Sequence, residues 1–191
     1  SLSIEGPSSL AGDYILLLIL ADSTSGGDTN IPTGYTEATP QVSNGAIFSV
    51  FYKKTTVDNE AIPAITKPNG AVIRWAYVAL VISGASPSAF INAIATSLVT
   101  SSVQVQHPAP QVTTTLDDCL IICIASSNNS MVFAESQGVG NVIYENGVRS
   151  SAAIRVDMTN QKDAGTSKTV VYNKNGTGRT IAATIAINNS T

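Results

Sequence analysis

The sequence predicts an all-β fold: a two-sheet antiparallel β-sandwich, jelly-roll-like, with at most one short helix. Three observations carry this expectation. Charged residues make up only 12% of the 191, while hydrophobic residues reach 43%; an ordinary globular chain carries about 25% charge. Ser, Thr, Asn and Gly replace the missing charge, which suits turns and strand faces rather than the Glu/Lys/Arg-rich solvent sides of helices. Apolar residues also recur in short runs or with a period of two, separated by Gly, Pro and Asn.

Residues 13–22 (DYILLLILAD) read as a central strand, apolar on both faces. A Ser/Gly/Asp loop follows to Asn30, and Pro32-Thr33-Gly34-Tyr35 marks a turn. Residues 46–57 form a long strand, with Phe48, Val50 and Tyr52 on one side. Pro68-Asn69-Gly70 is a turn, because Asn and Gly tolerate positive φ. Residues 71–83 (AVIRWAYVALVIS) are the most β-prone stretch. Ser86 to Ser97 is the one candidate helix, with Ser86 as cap and Pro87 at its first position. Ser101 to Thr115 is a polar connection with one edge strand, and residues 116–126 return to a buried strand. Asn128-Asn129 turns the chain into a short strand from Met131 to Glu135, followed by a Gly/Asn loop to Gly147.

The last third alternates most cleanly. Ala152, Ile154, Val156 and Met158 face one way, Arg155 and Asp157 the other. Residues 168–173 and 179–187 form two further strands around the hairpin loop 173–178 (NKNGTG). Roughly eight to ten strands with no fixed-period repeat and no interior linker predict a single domain over 1–191. A closed barrel is the alternative architecture.

Composition narrows the function classes. Net charge is −3, the pI is about 5.0, and Lys and Arg are scattered singly. Nucleic-acid binding needs clustered positive charge, so no nucleic-acid partner is expected. The longest apolar run, Tyr14 to Ala21, is flanked by Asp13 and Asp22 and falls far short of the ~20 residues of a spanning helix. Neither membrane insertion nor a signal peptide is expected from it, although mean hydropathy is high at +0.19. Ser1 fits a start Met removed before Ser, or equally a boundary cut within a longer chain. Cys119 and Cys123 on one strand would lie about 13 Å apart at ~3.3 Å per residue. A disulfide needs Cα atoms within about 7 Å, so both are expected as buried free thiols, in keeping with assembly in a reducing cytoplasm. Two thiols and one distant His do not complete a zinc site, and no metal or cofactor is expected.

Catalytic constellations are weak. The only His, His107, precedes Pro108 in a polar connection and reads as an exposed loop residue. No Gly-x-Ser-x-Gly elbow is present. Asp117-Asp118 is the obvious carboxylate pair, but strand neighbours point to opposite faces, and acidic residues before a strand serve as turn signals. Glu60, Glu135 and Glu145 are scattered. Asp22, Asp28 and Asn30 lack the spacing of a calcium loop. Gly138-Val139-Gly140 and Gly176-Thr177-Gly178 match no phosphate loop and read as turns. Sequons at Asn128, Asn175, Asn188 and Asn189 are expected by chance in so Asn/Ser/Thr-rich a chain. Trp75 and Tyr77, at i and i+2, share a strand face that is a sugar platform if exposed and core if buried; core is favoured. Tyr35 and Tyr144 sit near loops and are the better candidates for exposed ligand or partner contacts.

The order of motifs resembles a β-sandwich module of tailed-bacteriophage virion proteins. The matching stretches are Gly12-Asp13 with its apolar strand, Pro32 to Thr36, Phe48 to Lys53, Trp75-Ala76-Tyr77 leading to Ser86-Pro87, Asp117 to Leu120, Ala164 to Ser167, and the strand from Ala182 to Ile187. The resemblance implies a jelly-roll-like fold, residence in the virion after assembly in the host cytoplasm, and no catalytic residue. It also implies partners among other virion proteins and copies of the chain itself, often as a trimer, or a host-surface glycan. The expected function is therefore a non-enzymatic virion structural protein, in capsid decoration or in the tail or fibre. A lectin-like host-recognition module is the alternative, and a glycan-cleaving enzyme a distant third.

Overall fold

A computed structural model describes residues 3–23, 29–39, 42–43, 46–66, 72–99, 106–127, 133–137, 141–146, 153–174 and 180–189. These residues hold fifteen strands and no helix. All pairings are antiparallel, as the sequence predicts for a β-sandwich. Two compact units divide the chain, Ser1–Ala85 and Ser86–Thr191. The turns at Pro68-Asn69-Gly70, Asn128-Asn129 and most of 173–178 lie outside the described residues, as do Asp28, both Gly-x-Gly stretches and the sequons at Asn128 and Asn175.

The first unit contains β1 (Tyr14–Ser23), β2 (Thr36–Glu37), β3 (Val42–Ser43), β4 (Ala46–Lys54) and β5 (Val72–Ile82). β1 is central because it is apolar at every position from Ile15 to Ala21 and so can be covered on both faces. It pairs with β4 from Tyr14↔Lys54 to Asp22↔Ala46, and with β5 from Tyr14↔Ile82 to Asp22↔Arg74. β2 and β3 line the far edge of β4. Ile15, Leu17, Ile19 and Phe51 share one face, where Ile4, Tyr35, Ile62 and Ile65 close over them from the connecting segments. Leu16, Leu18, Leu20, Phe48 and Val50, on the opposite face, are also buried. Each such Leu or Ile contributes about 1.5–3 kcal/mol by leaving water. The entry to β1 is fixed by its own polar residues: the Asp13 carboxylate accepts the Leu10 amide at 2.8 Å, and Asp58 accepts that of Ala11 at 2.9 Å.

The second unit begins with β6 (Ile91–Val99), β7 (Gln106–Pro108), β8 (Thr113–Thr114), β9 (Cys119–Ser127) and β10 (Phe133–Gln137). It continues with β11 (Asn141–Asn146), β12 (Ala153–Gln161), β13 (Gly165–Thr166), β14 (Val171–Lys174) and β15 (Thr180–Ile187). A five-stranded sheet runs β11-β12-β9-β15-β6, a three-stranded sheet β10-β14-β7, and β13 pairs with β8. Cys119, Ile121, Cys123 and Ala125 of β9 and Ala182 and Ala186 of β15 pack with Val170, Tyr172, Ala109 and Val112. That cluster joins the two sheets into a sandwich. The opposite face of the large sheet carries Ile122, Ile124, Ile154, Val156, Ile181 and Ile185, all buried.

Three expectations are corrected. Ser86 to Ser97 is not a helix: its last residues belong to β6, which pairs with β15 from Ile91↔Ile187 to Val99↔Thr180. Ala93 and Ala95 alternate onto the sandwich cluster, and a ladder to the apolar strand β15 outweighs the weak helix propensity of a short Ala-rich stretch. The Gly/Asn loop expected up to Gly147 contains β11, held against β12. His107 is not an exposed loop residue: it sits on β7 at 0% exposure, opposite Tyr172.

Candidate functional site

The densest chemistry lies inside the second unit. On β12, Arg155 and Asp157 stand at i and i+2 and so project from one face, which is the face turned to the sandwich interior. They are 3% and 1% exposed. The guanidinium grips the carboxylate as a fork: Arg155 Nε donates to Oδ2 at 3.2 Å and Nη2 to Oδ1 at 3.3 Å. Across the ladder Asp157 stands opposite Cys123, and Cys123 opposite Thr184, with Sγ and Oγ1 3.8 Å apart. Tyr172 reaches in from β14 to the same interior, where the Asp157 charge acts on its hydroxyl.

Burial sets the protonation of this cluster. It pushes the Tyr172 hydroxyl far above its ordinary range, with the Asp157 charge adding to the shift. Burial also pushes the Cys123 thiol up to about 11. A protonated tyrosine, a protonated thiol and a carboxylate already gripped by an arginine are not an activated nucleophile and base. What the arrangement does is pair a buried guanidinium with a buried carboxylate beside the polar side chains of β9 and β14. Sequence reading missed this cluster. Its one visible signal is a pair of opposite charges at i and i+2 inside an apolar strand.

The acidic pair before β9 is also structural. Asp118 adopts φ +54°, Asp117 Oδ1 accepts the Ala164 amide at 2.7 Å, and the Asp118 amide donates to the Lys162 carbonyl at 2.8 Å. The turn reading of Asp117-Asp118 is thus the one the geometry matches. Cys119 and Cys123 are free and buried.

The aromatic candidates are not gathered together. Tyr35, expected to be exposed, is 8% exposed: the turn at Pro32 folds its ring onto the first unit's apolar cluster. Its hydroxyl is pushed up to about 12, by burial first and the Glu60 charge second. Lys53 stands 6.0 Å from the ring centroid and pairs with Glu60, whose carboxyl it holds below the usual range. Trp75 and Tyr77 share the face of β5 that packs on the same cluster and are half-buried. Tyr144 lies on β11, opposite Val156 in the register. One surface hollow of about 400 Å³ lies beside Asn160, Lys162, Asp163 and Lys168 in the second unit, and another of about 460 Å³ beside Asn30, Ile31, Pro32 and Pro63 in the first. Neither is lined by any of the four aromatic candidates. No family model, curated protein or solved structure matches this chain.

Proposed function

We propose that this chain is a non-enzymatic structural protein of a bacteriophage particle, decorating the capsid or forming part of the tail or fibre. The observation that carries the non-catalytic part is the fate of the catalytic candidates. His107 is sealed at 0% exposure, Asp117 is spent on a turn amide, and the buried carboxylate Asp157 is held by Arg155. The motif order that resembles phage virion modules, with a charge-poor antiparallel framework, supports the particle role. Partners are then other virion proteins and copies of the chain.

The test is co-purification. Particles from the source lysate are banded by density and probed for the chain, then reconstructed to locate it. A fixed copy number per particle at a symmetric position is expected. A chain found only in the soluble lysate, or one that cleaves host polysaccharide, overturns the reading.

A second reading, a lectin-like host-recognition module, draws on Trp75 and Tyr77, which stay half-exposed on one face of β5. Loss of glycan binding in Trp75→Ala, with folding intact, is the result that would favour it.

A further inference from the structure

Sheet edges differ sharply in how they are protected. A free edge presents a row of unpaired N–H and C=O groups that another strand can take up, and natural proteins block it with charge, Pro, bulges or covering segments. The far edge of β4 is lined by β2 and β3. The β11 edge carries Glu145 and a register shift between Val142 and Tyr144. The β5 edge carries Arg74 and a shift at its Val72 end.

β6 has almost none of these devices. Its nine residues, INAIATSLV, contain no charge and no Pro. Its one irregularity lies at Asn92, where the register with β15 shifts between Ala186 and Ile187. That end is tied down: Asn92 Nδ2 donates to Asn188 Oδ1 at 2.8 Å, and Asn92 Oδ1 accepts the Thr115 amide at 3.0 Å. From Ala93 to Val99 the ladder is regular, and among the described residues β15 is the only strand hydrogen-bonded to it. Leu98, towards the other end, is 37% exposed.

We propose that β6 pairs antiparallel with β6 of a second copy of this chain, about a twofold axis at Thr96. The occupant follows from the side chains. In that register Ala93 faces Val99, Ile94 faces Leu98, Ala95 faces Ser97 and Thr96 faces its own copy. Every opposed pair is apolar, small or Thr on Thr, the kinds of cross-strand neighbours that stabilise a ladder, and no like charges meet. The contact is self-complementary, as a twofold interface must be. Copies of a chain of net charge −3 repel one another weakly, so an uncharged strand is where they approach at least cost. The pairing deepens the particle-assembly reading on which it rests, by naming the edge through which copies join.

Light scattering on the purified chain from low to high micromolar should show growth to twice the 19.7 kDa of one chain. Thr96→Lys places two ammonium groups face to face on the axis and should return the protein to monomer. Leu98→Lys should do the same from the most exposed position, with circular dichroism and melting confirming that both variants fold. Thr96→Cys should form a covalent dimer under mild oxidation, against little background because Cys119 and Cys123 are buried. A wild-type monomer at all concentrations with no cross-link overturns the proposal. So does a trimer that survives Thr96→Lys and gives no cross-link, a result that leaves the particle role standing. Dimerisation through Thr96→Cys in a chain absent from particles supports the pairing while overturning the particle role.

Discussion

The two units are built from the same kind of strand but fill their interiors differently. In the first, an apolar cluster runs from Ile4 through Leu17 and Phe51 to Ile65, the buried polar side chains among the described residues are the hydroxyls of Ser9, Thr29, Ser49 and Thr55, and the ionic groups Lys53 and Glu60 stay towards the surface. In the second, an ion pair, a tyrosine, a thiol, a threonine and a histidine share the interior with alanines and isoleucines. A cluster of branched apolar side chains tolerates small shifts of its strands at little cost. The fork between Arg155 and Asp157 lies within β12 and moves with that strand, but the loss of either partner leaves the other as a buried charge. The first unit is therefore held mainly by area, the second by area together with the pairing of its buried charges.

Removing one member of the ion pair is the strongest way to break this contrast. Asp157→Ala leaves the Arg155 guanidinium buried and is expected to cost about 3–5 kcal/mol, read as a lowered midpoint in urea. The double variant Arg155→Met with Asp157→Leu should recover most of that loss, since an apolar replacement carries no unpaired charge. No recovery would mean that the pair is not the source of the effect. Leu17→Ala tests the other interior. It creates a cavity under Tyr35 and Ile65 and should cost about 3 kcal/mol, with no rescue by any change of charge.

Alkaline titration separates the interiors more finely. Tyr35 is raised to about 12 and Cys123 to about 11, so the folded state favours their protonated forms. That stabilisation is fully present below the pKa values of the unfolded chain, about 10 for Tyr and 8.5 for Cys. It disappears as pH climbs through about 9 to 11 for Cys123 and about 10 to 12 for Tyr35. Absorbance at 295 nm should show fewer than the six tyrosines ionised at pH 11 in the folded protein. All six titrating near the ordinary value would mean that the rings are not buried. The smallest effect is Tyr35→Phe. The hydroxyl is buried without a hydrogen-bond partner among the described residues, so its removal should change stability by less than about 1 kcal/mol, in the favourable direction. A larger loss in the melting curve would reveal a partner for that oxygen.

The long strands were legible because their cause is local. β1, β5, β9 and β15 are apolar at nearly every position, and no other element fits such runs between polar loops. β6 was not legible, because what makes it a strand is β15, about 90 residues away. His107 misled for the same reason: a polar stretch before Pro108 looks exposed until Tyr172 and Asn173 pair alongside it. Tyr35 shows a different limit. The turn at Pro32-Thr33-Gly34 was correctly located, but a turn fixes where the backbone goes and leaves the ring to the nearest apolar surface. The Arg155–Asp157 site was hidden because alternation marks faces and says nothing of whether the second face meets water.

The place of β15 in its sheet has a consequence for how the molecule is made. It lies between β9 and β6, and every residue from Thr180 to Ile187 is buried. β9 leaves the ribosome first and waits about 60 residues for this neighbour, which at roughly 5–20 residues per second is a delay of about 3–12 s. β12 arrives sooner and can shield one side of β9, while its other side stays open to any passing strand. The nascent second unit therefore has a window of seconds in which a neighbouring chain on the same message can take the place of its own last strand. Slower translation ahead of Thr180 would widen that window, and the yield of folded protein should fall with it.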